Sequence, residues 1–470
     1  MIADLVIKGA TIVTDTARFR GAIAVKDGAI LCIGDDAAMP EAVEVLDAAG
    51  KYVLPGAIDA HVHFREPGYT HKETWETGTA SAAMGGVTTV FEMPNTDPPT
   101  GTVAALNLKF EAAKKAYVDF GIYGLLAENN IDELEALISG GVAAFKCFMG
   151  NTFGNLPAPP TGAMLEGFEI VAKHGLRIAL HAENASIMAR RQLKLQAAGR
   201  HDPIAHLAAR PPVVAVEAVS RAAILAEWTG ARIHILHVSS GDELRPLREA
   251  KARGVDITAE TCPHYLLLDE HAYTEKGSLI RVNPPVREKT HQDQLWAAVR
   301  DRTIDMIATD HAPHSTSEKH NDDIWRADCG FSGVETQMPL MLSQVVAGRM
   351  TLNDYVRMTS TAPAWAFGLY PRKGALLPGS DADLVVVDLD REHTIASATL
   401  QTKGPSTPFD GTRVKGVPIH TLVRGRFVMK NCRLMTEARG HGRSVRRIQQ
   451  MPEPRPKNLE HTTAAIIKAR

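Results

Sequence analysis

The chain of 470 residues is 44% hydrophobic and carries 52 basic against 54 acidic side chains, a formal net charge of −2. That balance excludes a global attraction to nucleic acid or to an acidic membrane surface, and the apolar share is that of an ordinary folded protein. No apolar run approaches the roughly 18 residues of a membrane span, and five scattered cysteines without a C-x-x-C pair are expected in a reduced, cytoplasmic compartment.

At the N-terminus, MIADLVIKGATIV interrupts its apolar run with Asp4 and Lys8, the alternation of a strand and not the core of a signal peptide. GAIAVKDGAILCIGD and AVEVLDAAGKYVLPG continue that rhythm, so residues 1–55 are expected to form antiparallel strands with tight turns. From residue 56 the pattern changes to eight short apolar runs: GAIDAHVHF, TTVFEMPN, FGIYGLLA, AAFKCFM, RIALHAEN, IHILHVSS, DITAETCPH and MIATDHAPH. Helical stretches such as ETWETGTASAAMGG, DELEALISGG and GDELRPLREAKARG lie between them, which predicts an α/β fold with a (β/α)8 TIM barrel over 56–371. Strand-like segments return in KGALLPGSDADLVVVDLD and HTLVRGRFVMKN, so 372–440 should join 1–55 in a small β-sandwich built from both chain ends. Residues 441–470 read as a basic tail, either draped over the barrel or a neighbouring subunit or partly disordered.

The chemistry sits at the run ends. His61, His63, Asn95, Lys146, His181, His237, His264 and Asp310 all lie toward the C-terminal ends of their runs, the barrel face on which catalysis is built. In DAHVHFREPG, Asp59–Gly68, the imidazoles of His61 and His63 stand at i and i+2, which on a strand share one side and can aim at one ion. A polar strand end meeting solvent is the plainer alternative. His181 and His237 close two further runs in apolar surroundings, where an unpartnered imidazole is costly, and Asp310 opens DHAPH on the eighth.

Lys146, in AAFKCFM, is flanked by apolar residues, and burial disfavours its charged form. A neutral amine can attack CO2, and the carbamate formed has two oxygens with which to bridge two cations; pairing with a buried carboxylate is the alternative. The resulting hypothesis is a binuclear centre. His61, His63 and Asp310 would hold one ion, His181 and His237 the other, with carboxylated Lys146 between them. Zn2+ suits such donors best, with Mn2+, Co2+ or Fe2+ as further options. A hydroxide shared by ions about 3.5–4 Å apart is a nucleophile at neutral pH, and Asp310 could take its proton and pass it to a leaving nitrogen.

Six ordered motifs, DAHVHFREPG, GGVTTVFEMPNTDPPT, FKCFMGNTFGNL, RVNPPVR, ATDHAPH and GFSGVET, together resemble the cyclic amidohydrolases of the amidohydrolase superfamily, and most closely the dihydroorotases. GSDADLVVVD and STPFDG resemble the sandwich domain of the same family. The resemblance implies that Arg65, Asn95 and His314 hold a substrate carboxylate, that Asn283 contacts the substrate ring, and that Thr152 and Phe153, after Asn151, cover bound substrate from a flexible loop. ETCPHYL, Glu260–Leu266, looks instead like allantoinases and hydantoinases; within it His264 is either support for the metals or an ordinary strand-end histidine.

The expected activity is that of a dihydroorotase, opening dihydroorotate to N-carbamoyl-L-aspartate or closing it in pyrimidine synthesis. An allantoinase, or a hydantoinase or dihydropyrimidinase type of enzyme, is the alternative, and a non-catalytic scaffold subunit is a more distant one. The expected partner is a small cyclic amide bearing a carboxylate, with no nucleic acid and no membrane, and a homodimer or homotetramer is the expected assembly.

Overall fold

In the computed structural model, which describes residues 2–150, 152–153 and 156–447, the chain begins with β1 (Ala3–Val13), β2 (Arg18–Lys26), β3 (Ala29–Gly34), β4 (Ala42–Asp47) and β5 (Tyr52–Pro55). β1 serves two neighbours in succession, because Ala3–Lys8 pair with β4 and Thr11 and Ile12 pair with β5. The changeover falls at Gly9, whose φ of +72° lies in the left-handed region and whose missing side chain leaves room for Ala49. After the barrel, β14 (Leu384–Thr394), β15 (Arg413–Val423), β16 (Arg426–Lys430) and β17 (Arg433–Leu434) extend this sheet through antiparallel pairing of β14 with β5. Both chain ends therefore build one small β domain, and its strands form one continuous mixed sheet.

The barrel strands follow in the anticipated order: β6 (Ala57–Val62), β7 (Val87–Glu92), β8 (Asp119–Leu126), β9 (Ala144–Phe148), β10 (Arg177–His181), β11 (Arg232–Ile235), β12 (Ile257–Thr261) and β13 (Met306–Ile307). Each pairs in parallel with the next. Their residues are nearly all buried, as expected of parallel strands covered on the outside by helices. Trp75–Met84, Leu134–Gly140 and Leu244–Ala252 are the helices that the three quoted stretches foretell, and the first is capped by Thr74 accepting from the Thr77 amide.

Between β13 and β6 the barrel is closed by fewer contacts. Val62 bridges to His311, and the His63 amide donates to the His311 carbonyl at 2.7 Å. Asp59, buried on β6, accepts from both the amide and the hydroxyl of Thr309, so a carboxylate completes the seam that the two-residue β13 leaves short.

A second buried polar cluster joins barrel to β domain. Lys373 donates to Asp119 at the start of β8 (2.7 Å) and to Asp383 just before β14 (2.6 Å), with Asp381 at 3.0 Å. Lys373→Met would leave these carboxylates without their cation, and an unfolding free energy lower by about 3–5 kcal/mol is expected in urea titration. A change below about 1 kcal/mol would mean that Arg424, which also pairs with Asp119, carries the cluster alone.

The tail packs against the barrel as far as residue 447: Gly442 donates to Ala116, and residues 443–445 exchange backbone hydrogen bonds with Phe120. Residues 448–470 of the expected tail lie outside the described residues. All five cysteines are free thiols. No helix among the described residues is long and apolar enough to cross a membrane.

Candidate active site

The side chains singled out in the sequence converge at the C-terminal mouth of the barrel. β6 delivers His61, β9 delivers Lys146 and β10 delivers His181, while His63, His237 and Asp310 come from the chain just beyond β6, β11 and β13. The ring centroids of His61 and His63 are 5.2 Å apart, those of His61 and His237 5.3 Å, and those of His181 and His237 4.7 Å. Arg65, His237 and Asp310 hold left-handed φ angles of 61°, 39° and 49°. Such backbone costs about 1–3 kcal/mol per residue and persists where the surroundings impose it.

Hydrogen-bond bookkeeping around these rings gives the site its character. His61 faces a carboxylate at each nitrogen, Glu260 Oε1 at 2.7 Å from Nδ1 and Asp310 Oδ1 at 3.1 Å from Nε2. His63 faces Asn95 Oδ1 at 2.7 Å from Nδ1 and the same Asp310 oxygen at 3.2 Å from Nε2. A neutral imidazole has one N–H and cannot donate at both ends. Burial first, then the nearby Lys146 and neighbouring cationic groups, hold both rings well below the usual histidine pKa, so the doubly protonated form is disfavoured. A protonated Asp310 could satisfy one ring but not both. With Nδ1–H committed outward, two Nε2 lone pairs and a carboxylate oxygen face one another, which is the donor set of a divalent cation.

On the other side, His181 Nε2 is 2.8 Å from Glu183 Oε2, which leaves Nδ1 turned toward His237 Nε2 at 2.9 Å. Glu183 in turn pairs with Arg210, and that cation with the His181 contact overcomes desolvation to bring its carboxyl down to about 2. Lys146 acts electrostatically on both sides, on His61 and His63 and on His181 and His237. It is buried, its Nζ lies 4.6 Å from the centre of the Phe148 ring, and no hydrogen bond or ion pair reaches that Nζ among the described residues. Burial lowers its pKa to about 7 against the opposing pull of Asp310 and Glu260.

The residues assigned to substrate are placed as follows. Arg65 is buried, with Nη2 3.1 Å from His314 Nε2, Nε donating to Pro313 O, and Nη1 without a partner. Its guanidinium lies 4.4 Å from the Phe153 ring centre, and Lys72 Nζ lies 4.5 Å from the same ring. Asn95 spends its carbonyl on His63 and donates to Phe153 O, so it orients the His63 ring as well as the loop. His314 is engaged at both nitrogens, by Asp328 and Lys72 at Nδ1 and by Cys329 O and Arg65 at Nε2. Asn283 is buried with its Oδ1 unpartnered. Thr152 is half-buried on the Phe153 loop, and Asn151 lies outside the described residues. His264 packs against Tyr265 and Phe331 with Nε2 unpartnered and makes no hydrogen bond to the four imidazoles.

Three residues that the sequence reading does not single out belong here: Glu260, Glu183 and His234. Glu260 lies on β12 with Oε2 2.9 Å from His234 Nε2 as well as Oε1 on His61. Their common signal is an ionisable side chain at or near the end of an apolar strand, in ITAET, HAEN and RIHI.

The Amidohydrolase family profile matches residues 52–428. An L-hydantoinase of Paenarthrobacter aurescens is 35% identical over 450 residues, covering 94% of this chain and 98% of its own. An allantoinase of Rubrobacter xylanophilus is 36% identical over 441 residues, covering 93% and 96%. Among solved structures, the L-hydantoinase (dihydropyrimidinase) from Arthrobacter aurescens matches with a TM-score of 0.93 at 34% identity, covering 95% of this chain and 100% of the other.

These relatives overturn the dihydroorotase expectation and its place in pyrimidine synthesis, in favour of the hydantoinase and allantoinase alternative. The geometry offers a physical reason. Two members of the expected carboxylate clamp, Asn95 and His314, are occupied within the protein, whereas ETCPHYL, the segment resembling hydantoinases and allantoinases, supplies the carboxylate directly behind His61.

Proposed function

Because the chain belongs to the amidohydrolase family, we propose that it is a metal-dependent hydrolase of the five-membered ureide ring common to hydantoin and allantoin. The observation that carries this reading is the convergence of His61 Nε2 and His63 Nε2 on Asp310 Oδ1, an arrangement of lone pairs that calls for a cation. His61, His63 and Asp310 would hold one divalent ion and His181 and His237 a second, with Lys146 reaching both as its carbamate. When bound, such ions supply a Lewis acid for a ring carbonyl and a source of nucleophilic hydroxide at neutral pH.

The chain's own residues do the rest. The Lys146 amine, which burial favours in its neutral form, adds through its lone pair to the carbon of CO2; one C=O π bond becomes the C–O− of the carbamate, and one proton leaves to solvent. Asp310 takes one proton from the attacking water and delivers it to the ring nitrogen as the carbonyl C–N bond breaks; the second is released to solvent as the new carboxyl group ionises, so that water and cyclic ureide become a carboxylate, an open ureido group and a proton. Asn95, Glu260 and Glu183 keep the imidazoles in the tautomers this requires. Arg65 Nη1 and Asn283 Oδ1, both buried and unpartnered, are the proposed donor and acceptor for the polar edge of the ring, beneath Thr152, Phe153 and His314.

The test is a panel of hydantoin, allantoin, dihydrouracil and dihydroorotate with zinc-loaded protein. Opening of a five-membered ring is expected with kcat/KM at least about 10–100 times that of the six-membered rings, the discrimination a shaped pocket can supply. Turnover confined to dihydrouracil or dihydroorotate would overturn the proposal.

A further inference from the structure

We infer that Glu260 is a positioning residue that ties the two halves of the proposed metal centre into one unit. The inference rests on the metal-dependent reading above. Glu260 Oε1 is 2.7 Å from His61 Nδ1 and 3.3 Å from the backbone nitrogen of His237, so one oxygen holds a residue from each half. β12 is not a neighbour of β6; the carboxylate reaches past β13, at the weakly paired seam, to touch His61. Its other oxygen accepts from His234 Nε2 at 2.9 Å, and His234 Nδ1 stands 2.9 Å from Thr258 Oγ1. Glu260, His61, His234 and His237 are all buried.

This arrangement does three things at once. It keeps the His61 proton on Nδ1, which leaves Nε2 free to ligate. It anchors the His237 amide in the left-handed conformation that turns the ring toward His61. Through His234 and Thr258 it is itself held from behind, so the oxygen cannot swing away. Glu183 is different in kind: it reaches His181 but has no hydrogen bond to the His61 side, and its second partner is the Arg210 cation.

Zinc binding reads out the difference without any substrate. Glu260→Ala removes both contacts of Oε1, whereas Glu260→Gln keeps them, because the amide oxygen can still accept from His61 and from the His237 amide while the NH2 donates to His234 in its other tautomer. Competition against a chelator should show wild type binding two equivalents of Zn2+, Glu260→Ala weakened about 10–100-fold at both, and Glu260→Gln close to wild type. Glu183→Ala should weaken one equivalent only. The rescue by Glu260→Gln separates positioning from a requirement for charge. If Glu260→Ala does not fold, Glu260→Asp, too short to hold both halves, must show the same joint weakening. Two wild-type equivalents with Glu260→Ala unchanged, with one affinity alone reduced, or with Glu260→Gln as weak as Glu260→Ala, would overturn the inference and leave the hydrolase reading standing. Failure of the wild type to bind two equivalents would overturn both.

Discussion

Lys146→Met should lower kcat/KM by about 10³-fold or more, because in the proposed reaction hydroxide generation and carbonyl polarisation would both depend on ions that Lys146 would help to hold. The same substitution should leave metal-stripped protein as stable as wild type, or more so. The two halves of that expectation have one cause. Lys146 is buried on β9 with no hydrogen bond at its Nζ among the described residues, and burial alone draws its pKa down to about 7 despite Asp310 and Glu260. An ammonium serving as a structural cation for those carboxylates would, on removal, cost about 3–5 kcal/mol. An amine awaiting CO2 contributes no such pairing, and methionine fills a similar volume without the desolvation penalty. Urea denaturation of the stripped proteins distinguishes the two by sign. Lys146→Ala, which opens space, should recover part of its zinc content and turnover in millimolar acetate or propionate, since a free carboxylate can occupy the place of the carbamate. Marked destabilisation by methionine without loss of zinc would make Lys146 an ordinary buried ion-pair partner.

Much of this was open to reading in the chain, and the part that was not has a geometric explanation. The eight barrel runs stand out because parallel strands are buried on both faces and so lack polar alternation, and β6 to β13 coincide with them in order to within one residue at their starts. His61 and His63 announce themselves by their i, i+2 spacing at the end of β6. Glu260 does not, since its value lies in reaching past β13 to a strand about two hundred positions away in sequence. His237 and Asp310 lie beyond the hydrogen-bonded strand ends, and although histidine and aspartate enter the left-handed region more often than most residues other than glycine, they do so too seldom for residue type to announce the backbone that places them. The substrate is hidden for a related reason: MPN places Asn95 beyond a strand end, but whether it faces a ligand or props His63 depends on which hydrogen bonds form in the folded loop.

Asp310→Asn is the second substitution expected to act strongly, with kcat down by about 10²–10⁴-fold, the usual contribution of a positioned acid–base group. Asp310 differs from the other proposed ligands in having two tasks. Its Oδ1 lies within 3.2 Å of both His61 and His63, a contact that an amide oxygen can keep. Proton transfer is the task that an amide cannot perform. Raising the zinc concentration should therefore restore occupancy in the variant but leave kcat low, while KM for the ring substrate changes little. His63→Ala provides the contrast: it removes a neutral donor and leaves the carboxylate, so its deficit should shrink as zinc is raised. Recovery of Asp310→Asn to within about tenfold of wild-type kcat at saturating zinc would assign Asp310 to holding the ion alone. The proton would then have to travel by another group at the barrel mouth, and His264, buried with one nitrogen unpartnered, is the residue to substitute next.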